Sequence, residues 1–314
     1  MLLKKASKNA VTNDARTGRP DSAHLTAVPL VTEGEFSYHG LRLSYEVHGT
    51  GPQLLVYLHG LLLDRNLNRP LAISLAEAGN RVILLDLPGH GMSDKPRHAS
   101  VHRMDSYADC VVALLDHLGA ASAVIGGVSL GANVALQCAA QAPARVKGLL
   151  LEMPVLEWAV PGAALVFLPL LMGVHYAARA FRLLGDVVRV LPKTSNWAIE
   201  GLRAPVSLDP EESAAVLHGL FVGPIAPTVE QRRAIRAPAL VIGHHLDFIH
   251  PFSDATNLVE QMPSARLVQA ASMFELRFRP ERLTHEIALF LDEVWRQRGS
   301  TVAINAGARR PDPQ

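Results

Sequence analysis

The stretch "ASAVIGGVSLGANVALQCAAQAP" (121–143) joins an apolar run, a serine flanked by glycines, and a segment whose apolar residues recur at helical spacing. The first run is typical of a buried β-strand and the last segment of a helix. Between them lies Gly127-Val128-Ser129-Leu130-Gly131, which has the pattern G-x-S-x-G. A serine at a sharp strand-to-helix turn needs these glycines because the two backbones approach closely there. The stretch therefore predicts a strand, a tight turn and a helix.

Ser129 is a candidate nucleophile at this turn. Its hydroxyl would stand above the sheet at the N-terminus of the helix, where the backbone N–H of Leu130 lacks an intrahelical partner and can stabilise an oxyanion. A second such donor is the N–H of Leu61, which follows "LHG" (58–60) at the end of another apolar run. Gly60 in that motif leaves room for a substrate. The alternative for "LHG" is a turn that only ends a strand.

Apolar runs alternate with helix-like segments along most of the chain. This alternation predicts a mostly parallel sheet with helices on both faces. An alternating apolar and polar segment at 36–49 predicts a hairpin before the parallel strands. The buried runs are "QLLVYLHG" (53–60), "RVILLDLPGHG" (81–91), "VKGLLLEMP" (146–154), "APALVIGHHLD" (237–247) and "ARLVQAAS" (265–272).

This alternation of strand-like and helix-like segments stops between Pro154 and about Glu230. Within that region, "AVPGAALVFLPLLMGVHYAA" (159–178) contains no Asp, Glu, Lys or Arg and is long enough to cross a bilayer, which takes about 20 residues. However, prolines and glycines interrupt it, and it lies between two parts of the predicted sheet. We interpret it as an apolar cap over the sheet that walls a pocket for a hydrophobic substrate or ligand, and we expect no membrane contact.

The composition restricts the classes of function. The chain has 314 residues, of which 49% are apolar and 19% charged, and its net charge is +1. This balance gives no indication of nucleic-acid binding. Two cysteines in a chain of this length indicate no disulfide framework, and the N-terminus has no apolar core of a secretory signal, so a cytoplasmic location is expected. No metal or nucleotide motif is present, so we expect no cofactor. The sequence leaves the oligomeric state open.

Four motifs carry a resemblance to a known family. "LHG", "DLPGHGMSD", "GGVSLGAN" and "GHHLDFIHP", in this order, resemble the α/β-hydrolase superfamily, in the branch with a cap after the sixth strand. The resemblance covers about residues 35–296. It implies an eight-stranded, mostly parallel sheet, with a hydrolase core at 33–154 and 231–298 and a helical cap at 155–230. Residues 1–32 and 299–314 are then expected to be flexible tails.

The resemblance also implies roles for particular residues. Ser129 would be the nucleophile, Leu61 and Leu130 the oxyanion donors, and Asp247, after the seventh strand, the carboxylate that orients a histidine. Glu152, at the end of the sixth strand, is the alternative acid, since some members of the superfamily place it there.

The general base of the family is missing from its usual place. In relatives the histidine lies seven residues before the proline that opens the last helix, and here that position is Met273. A methionine cannot accept a proton from a serine, although Met273 could contact a substrate. The best remaining candidate is His250, because it follows Asp247 closely and lies at the same edge of the sheet as Ser129. The resemblance alone would make it part of a turn. Weaker candidates are His244, His245 and the surface residue His285.

Three functions stay open on this evidence. The first is a serine hydrolase that acts on a carboxylic ester through an acyl-enzyme on Ser129, with a displaced base. The second is a non-hydrolytic catalyst on the same scaffold, of the lyase, isomerase or cyclase type. The third is an inactive ligand binder that keeps the serine turn because the fold requires it. The retained serine and glycines favour the first.

Overall fold

A computed structural model describes residues 31–192, 199, 203, 208–245 and 247–306, with side chains of the last helix as far as Arg296. Its centre is an eight-stranded sheet with the strand order β1-β2-β4-β3-β5-β6-β7-β8. The first two strands run antiparallel to their neighbours, and the other pairs are parallel. The strands are β1 Val31–Tyr38, β2 Leu41–His48, β3 Gln53–Leu58, β4 Asn80–Leu85, β5 Ala123–Val128, β6 Val146–Glu152, β7 Ala239–Gly243 and β8 Ala265–Gln269.

Helices cover both faces of the sheet, as predicted. Successive strand residues point to opposite faces, so Leu55 packs in one apolar cluster and Val56 in the other. One face is covered by α1 (Arg69–Glu77) and α10 (Glu281–Ala306), and the other by α2 (Met104–His117), α3 (Leu130–Gln141) and α8 (Phe252–Gln261). The predicted fold class is therefore confirmed.

Four helices of the described chain lie between β6 and β7, where the cap was predicted. They are α4 Val160–Tyr176, α5 Ala178–Val190, α6 Pro210–Val222 and α7 Val229–Ala234. The buried carboxylate of Asp254, on α8, accepts hydrogen bonds from the backbone N–H groups of Leu156 (2.7 Å), Trp158 (3.1 Å) and Ala159 (3.0 Å). These bonds fix the segment that leads into α4 against the core.

The first strand and the last helix form the two ends of the described core. β1 begins at Val31, so two residues assigned to the N-terminal tail belong to the sheet. Residues 1–30 lie outside the described part. At the other end, α10 continues to Ala306, beyond residue 298, where the tail was expected to begin. No single helix of the described chain is long and apolar enough to cross a membrane. Taken together, α4 and α5 are long and apolar enough, but the chain bends by 97° between them.

Candidate active site

Ser129 lies at the turn between β5 and α3 in a conformation that residues other than glycine rarely adopt. Its φ is 54° and its ψ is −111°. A side-chain carbon on Gly131 would lie 2.5 Å from the carbonyl oxygen of Leu58, and one on Gly127 would lie 2.7 Å from the same oxygen. The two glycines are therefore required for the close approach of the turn to β3. The strain at Ser129 is of the kind found at functional sites.

His250 connects this serine to Asp247. The imidazole Nε2 of His250 is 2.9 Å from Ser129 Oγ, and its Nδ1 is 2.8 Å from Asp247 Oδ2. The other carboxylate oxygen, Oδ1, accepts hydrogen bonds from the backbone N–H groups of Ile249 (2.8 Å) and His250 (3.0 Å). One aspartate thus holds both the loop after β7 and the imidazole that the loop carries.

The partners of Asp247 decide which ring nitrogen of His250 carries the proton. Burial favours the neutral acid, but the hydrogen bonds from the His250 ring and from the backbone N–H groups of His250 and Ile249 outweigh it and hold the pKa of Asp247 below its ordinary value. An ionised carboxylate can only accept, so Nδ1–H of His250 donates to it. The Nε2 lone pair then faces the Ser129 hydroxyl. In this arrangement the imidazole can take the serine proton.

The other candidate histidines take different positions. His244 is buried, with its Nε2 3.4 Å from Asp247 Oδ2 and 3.1 Å from the sulfur of Met153. The ring of His245 packs on Phe252, with a centroid distance of 4.1 Å. His285 is exposed on α10. Of these candidate histidines, only His250 has a hydrogen bond to the Ser129 hydroxyl.

Glu152, the alternative acid, is bound by a separate buried network. The hydroxyl of Tyr57 donates to its Oε2 over 2.5 Å, and Arg277 forms an ion pair with its Oε1. Arg277 also donates to the side chain of Asn68 (3.1 Å). Among the described residues, no histidine forms a hydrogen bond or ion pair with the Glu152 carboxylate. Its carboxylate therefore neutralises Arg277, whereas Asp247 has the contact with an imidazole.

Met273 lies in the segment between β8 and the short helix α9 (Glu275–Phe278). Its side chain is 38% exposed, and Phe274 beside it is 54% exposed. Neither residue lines the apolar pocket beside Ser129. Gly60 does not line that pocket either, so substrate contacts by Gly60 and Met273 stay predictions.

The pocket beside Ser129 has a volume of about 90 Å³. The core contributes Leu61 and Leu130 to its wall, and the cap contributes Ala163 and Phe167 of α4 together with residues of α6. None of the described residues that line it carries a charge. The remaining lining residues are Met104, Asn133, Val155, Leu217, Leu220, Phe221, Ile225 and Ile249.

The two predicted oxyanion donors border this pocket. Leu130 is the first residue of α3, so its N–H has no acceptor within the helix. Leu61 precedes Leu62, whose φ is 57° and whose N–H donates to His90 Nε2 over 3.2 Å. This bond stabilises the turn that follows β3. The described residues contain no group of three or more acidic, histidine or cysteine side chains that could hold a metal.

Only part of this site could be predicted from the sequence. It named Ser129, His250 and Asp247, which the structure joins, but not the partners of Glu152. The signal for Tyr57 was a hydroxyl inside the apolar run of β3, since a buried tyrosine usually finds a hydrogen-bond partner. Nothing in the sequence indicated that Arg277 would form the buried ion pair with Glu152.

Comparison with known proteins agrees with this fold. The family model for the α/β hydrolase fold matches residues 53–191. The enol-lactonase from Burkholderia xenovorans LB400 superposes with a TM-score of 0.67 at 20% identity, covering 82% of this chain and all (100%) of that one. The chain has the α/β-hydrolase fold. Among such hydrolases, 20% identity shows a shared fold and leaves the substrate undetermined.

Two curated relatives match parts of this α/β-hydrolase chain. The 2-(acetamidomethylene)succinate hydrolase of Mesorhizobium japonicum is 25% identical over 213 residues, which are 64% of this chain and 73% of that protein. The acetyltransferase component of the acetoin cleaving system of Pseudomonas putida is 44% identical over 108 residues, 33% of this chain. The chain spans only 28% of that component's length. Together the matches support an enzyme of the α/β-hydrolase type.

Proposed function

We propose that the protein is a serine hydrolase that cleaves a carboxylic ester with a hydrophobic moiety through an acyl-enzyme on Ser129. In this proposal His250 is the general base and Asp247 orients it. The observation that carries the proposal is the 2.9 Å contact between His250 Nε2 and Ser129 Oγ, because a base must lie within hydrogen-bond reach of the proton that it removes.

In the first half of the reaction, Ser129 Oγ attacks the carbonyl carbon of the ester. His250 Nε2 takes the hydroxyl proton, and the carbonyl oxygen becomes an oxyanion that the N–H groups of Leu61 and Leu130 would stabilise. One such donor is commonly worth about 10²–10³ in rate. The bond from carbon to the alcohol oxygen then breaks, the alcohol takes the proton from His250, and the acyl group stays on Ser129.

In the second half, water replaces the alcohol. His250 accepts a proton from the water as its oxygen attacks the acyl carbon. The bond to Ser129 Oγ breaks, the serine recovers its proton from His250, and the carboxylic acid leaves. The ionised Asp247 stabilises the imidazolium that forms in both halves. No redox step or further reactant is needed.

The pocket supports an apolar substrate. Among the described residues that line it, the one amide side chain is that of Asn133, which is fully buried and already engaged. Its Nδ2 donates to the carbonyls of Val155 and Ile225, both at 2.7 Å, and its Oδ1 accepts from the N–H of Val155 at 3.0 Å. A charged group on the substrate would therefore lose its water without gaining a partner here. An uncharged hydrocarbon moiety fits these walls.

A fluorophosphonate probe tests the proposal, because it forms a covalent bond only with an activated serine. Intact protein should gain one probe mass on Ser129, and the wild type should hydrolyse p-nitrophenyl butyrate faster than the Ser129→Ala variant. Absence of the adduct, together with ester turnover equal to that of Ser129→Ala, would exclude the hydrolase. A native apolar ligand that co-purifies without being turned over would then favour a binding protein.

A further inference from the structure

The charge-free helix α4 has an outward face that neither the core nor the pocket uses. Leu165 is 72% exposed and Tyr176 is 77% exposed, and Leu168 and Met172 lie exposed between them. Their spacing of three, four and four residues puts all four on one side of the helix. The result is a continuous apolar stripe along α4, which we call the outer stripe (Leu165, Leu168, Met172 and Tyr176).

The other side of α4 faces the pocket and the helix α6. Ala163 and Phe167 line the pocket beside Ser129, and Leu171 and Val174 pack against Leu217 of α6. The sequence suggested that the whole charge-free segment encloses the pocket. In the structure only half of it does so. Large exposed apolar patches of this kind mark sites of contact with a partner or with lipid.

The ends of the outer stripe carry residues that favour a lipid–water boundary. Trp158, just before α4, is 66% exposed, and Tyr176 closes the stripe; tryptophan and tyrosine are enriched at both membrane surfaces. Arg179 follows in the first turn of α5 and is exposed. None of the ion pairs found within the described chain involves Arg179, so its charge complements a lipid phosphate.

Helix α5 extends the apolar surface beyond the bend. Leu183, Val187 and Val190 are exposed at a spacing of four and three residues, which again defines one side of a helix. Arg182 on α5 bonds to Asp209 and Glu211 of the cap, and Arg189 bonds to Asp186. Basic residues on one part of a helix surface and exposed leucine and valine on another are typical of helices that lie in a bilayer interface.

We propose that the outer stripe of α4 and the exposed row of α5 dock onto a lipid bilayer, lying in its surface without crossing it. The charge-free stripe of α4 fits the acyl region, the aromatic residues fit the headgroup boundary, and Arg179 fits the phosphates; Asp186, on the same side of α5 as Leu183 and Val190, is paired with Arg189. The docked helix is the same one whose inner face lines the pocket, so an apolar ligand dissolved in the bilayer would lie close to Ser129. This departs from the expectation of no membrane contact, and it does not depend on the proposed hydrolysis.

Vesicle flotation with the full chain tests this proposal. The vesicles are phosphatidylcholine alone and phosphatidylcholine with about 30% phosphatidylglycerol, whose anionic headgroups would attract basic side chains. The protein should float with both, and binding should persist in about 0.5 M NaCl, where charges are screened within a few ångströms. The double variant Leu165→Asp/Met172→Asp should bind at least tenfold more weakly, because each site loses its apolar contact with lipid. Arg179→Gln should lower affinity for the anionic vesicles by only about fivefold.

A matched control is Leu289→Asp, which changes a leucine on α10 that is also exposed (46%) but lies outside the cap. This variant should bind vesicles like the wild type, and circular dichroism should show that all variants are folded. Binding to anionic vesicles only, lost in salt, would overturn the proposal, as would failure to bind either vesicle. A dimer in sedimentation that the double variant dissociates, without vesicle binding, would assign the stripe to a second copy of the chain and overturn it as well.

Discussion

Arg277 and Glu152 form a buried ion pair that ties the segment after β8 to the end of β6. Both side chains are nearly inaccessible to water, and Tyr57 and Asn68 complete their hydrogen bonds. Separating a buried pair leaves an uncompensated charge, so this contact strongly constrains the path of the segment. The segment in which the resemblance predicts the family's histidine is here fixed by an arginine, and Met273 is left partly exposed.

A first prediction concerns Met273, the position where the resemblance would place the base. Because His250 is already hydrogen-bonded to the Ser129 hydroxyl and Met273 does not line the pocket, Met273→His should change kcat/KM for p-nitrophenyl butyrate by no more than about twofold, which corresponds to about 0.4 kcal/mol in transition-state free energy. The same substitution in a His250→Ala background should restore no activity. Recovery of ester hydrolysis in the double variant would show that position 273 reaches the serine and would contradict the arrangement described above.

A second prediction separates the two candidate acids. Asp247→Asn removes the acceptor that holds the His250 Nδ1–H, so the imidazole loses the correct tautomer; in a serine triad this change lowers kcat by about 10⁴. Glu152→Gln should act mainly on stability, by about 3–5 kcal/mol, because it leaves Arg277 buried without its partner. The measurements are ester kinetics and urea unfolding of both variants. A folded Glu152→Gln protein that is as inactive as Asp247→Asn would make Glu152 the acid.

A third prediction concerns Glu46 and the pH dependence of stability. Burial raises the pKa of this carboxyl, but hydrogen bonds from His48 and Arg69, and the charges of Arg69 and Arg65, outweigh burial and lower it strongly. A carboxyl with a lowered folded pKa stabilises the protein fully above its unfolded pKa, about 4.3, and this contribution is lost as the pH falls towards the folded pKa.

The corresponding variant is Glu46→Gln. At pH 7 it should lower the free energy of unfolding by about 3–5 kcal/mol, and the difference from the wild type should shrink as the pH falls below about 4. Urea unfolding at a series of pH values measures both quantities. A difference that stays constant over that range would mean that the charge of Glu46 contributes nothing to stability.

Much of the fold could be predicted because its signals are local. The strand runs are apolar and short, and the turn at Ser129 needs glycines on both sides, which the sequence displays. His250 could be named as a candidate because the loop after β7 lies at the same sheet edge as the serine. The distance between them could not be predicted, because it depends on how Asp247 Oδ1 shapes that loop through the N–H groups of Ile249 and His250.

Long-range partners and surface exposure were the features that the sequence did not reveal. Arg277 and Glu152 are 125 positions apart, and no local pattern links them. The segment 159–178 reads as uniformly apolar, so its sequence gives no indication of which face turns inward. Only the packing of Leu171 and Val174 against Leu217 defines the inner face and thereby the outer stripe.

The most direct test of the account is the rate at which a fluorophosphonate labels Ser129 with and without His250. If His250 Nε2 removes the serine proton, His250→Ala should label about 10²- to 10⁴-fold more slowly than the wild type. The matched control His245→Ala, in the same loop but packed on Phe252, should label at the wild-type rate. A folded His250→Ala protein that labels as fast as the wild type would contradict the central claim that His250 activates Ser129.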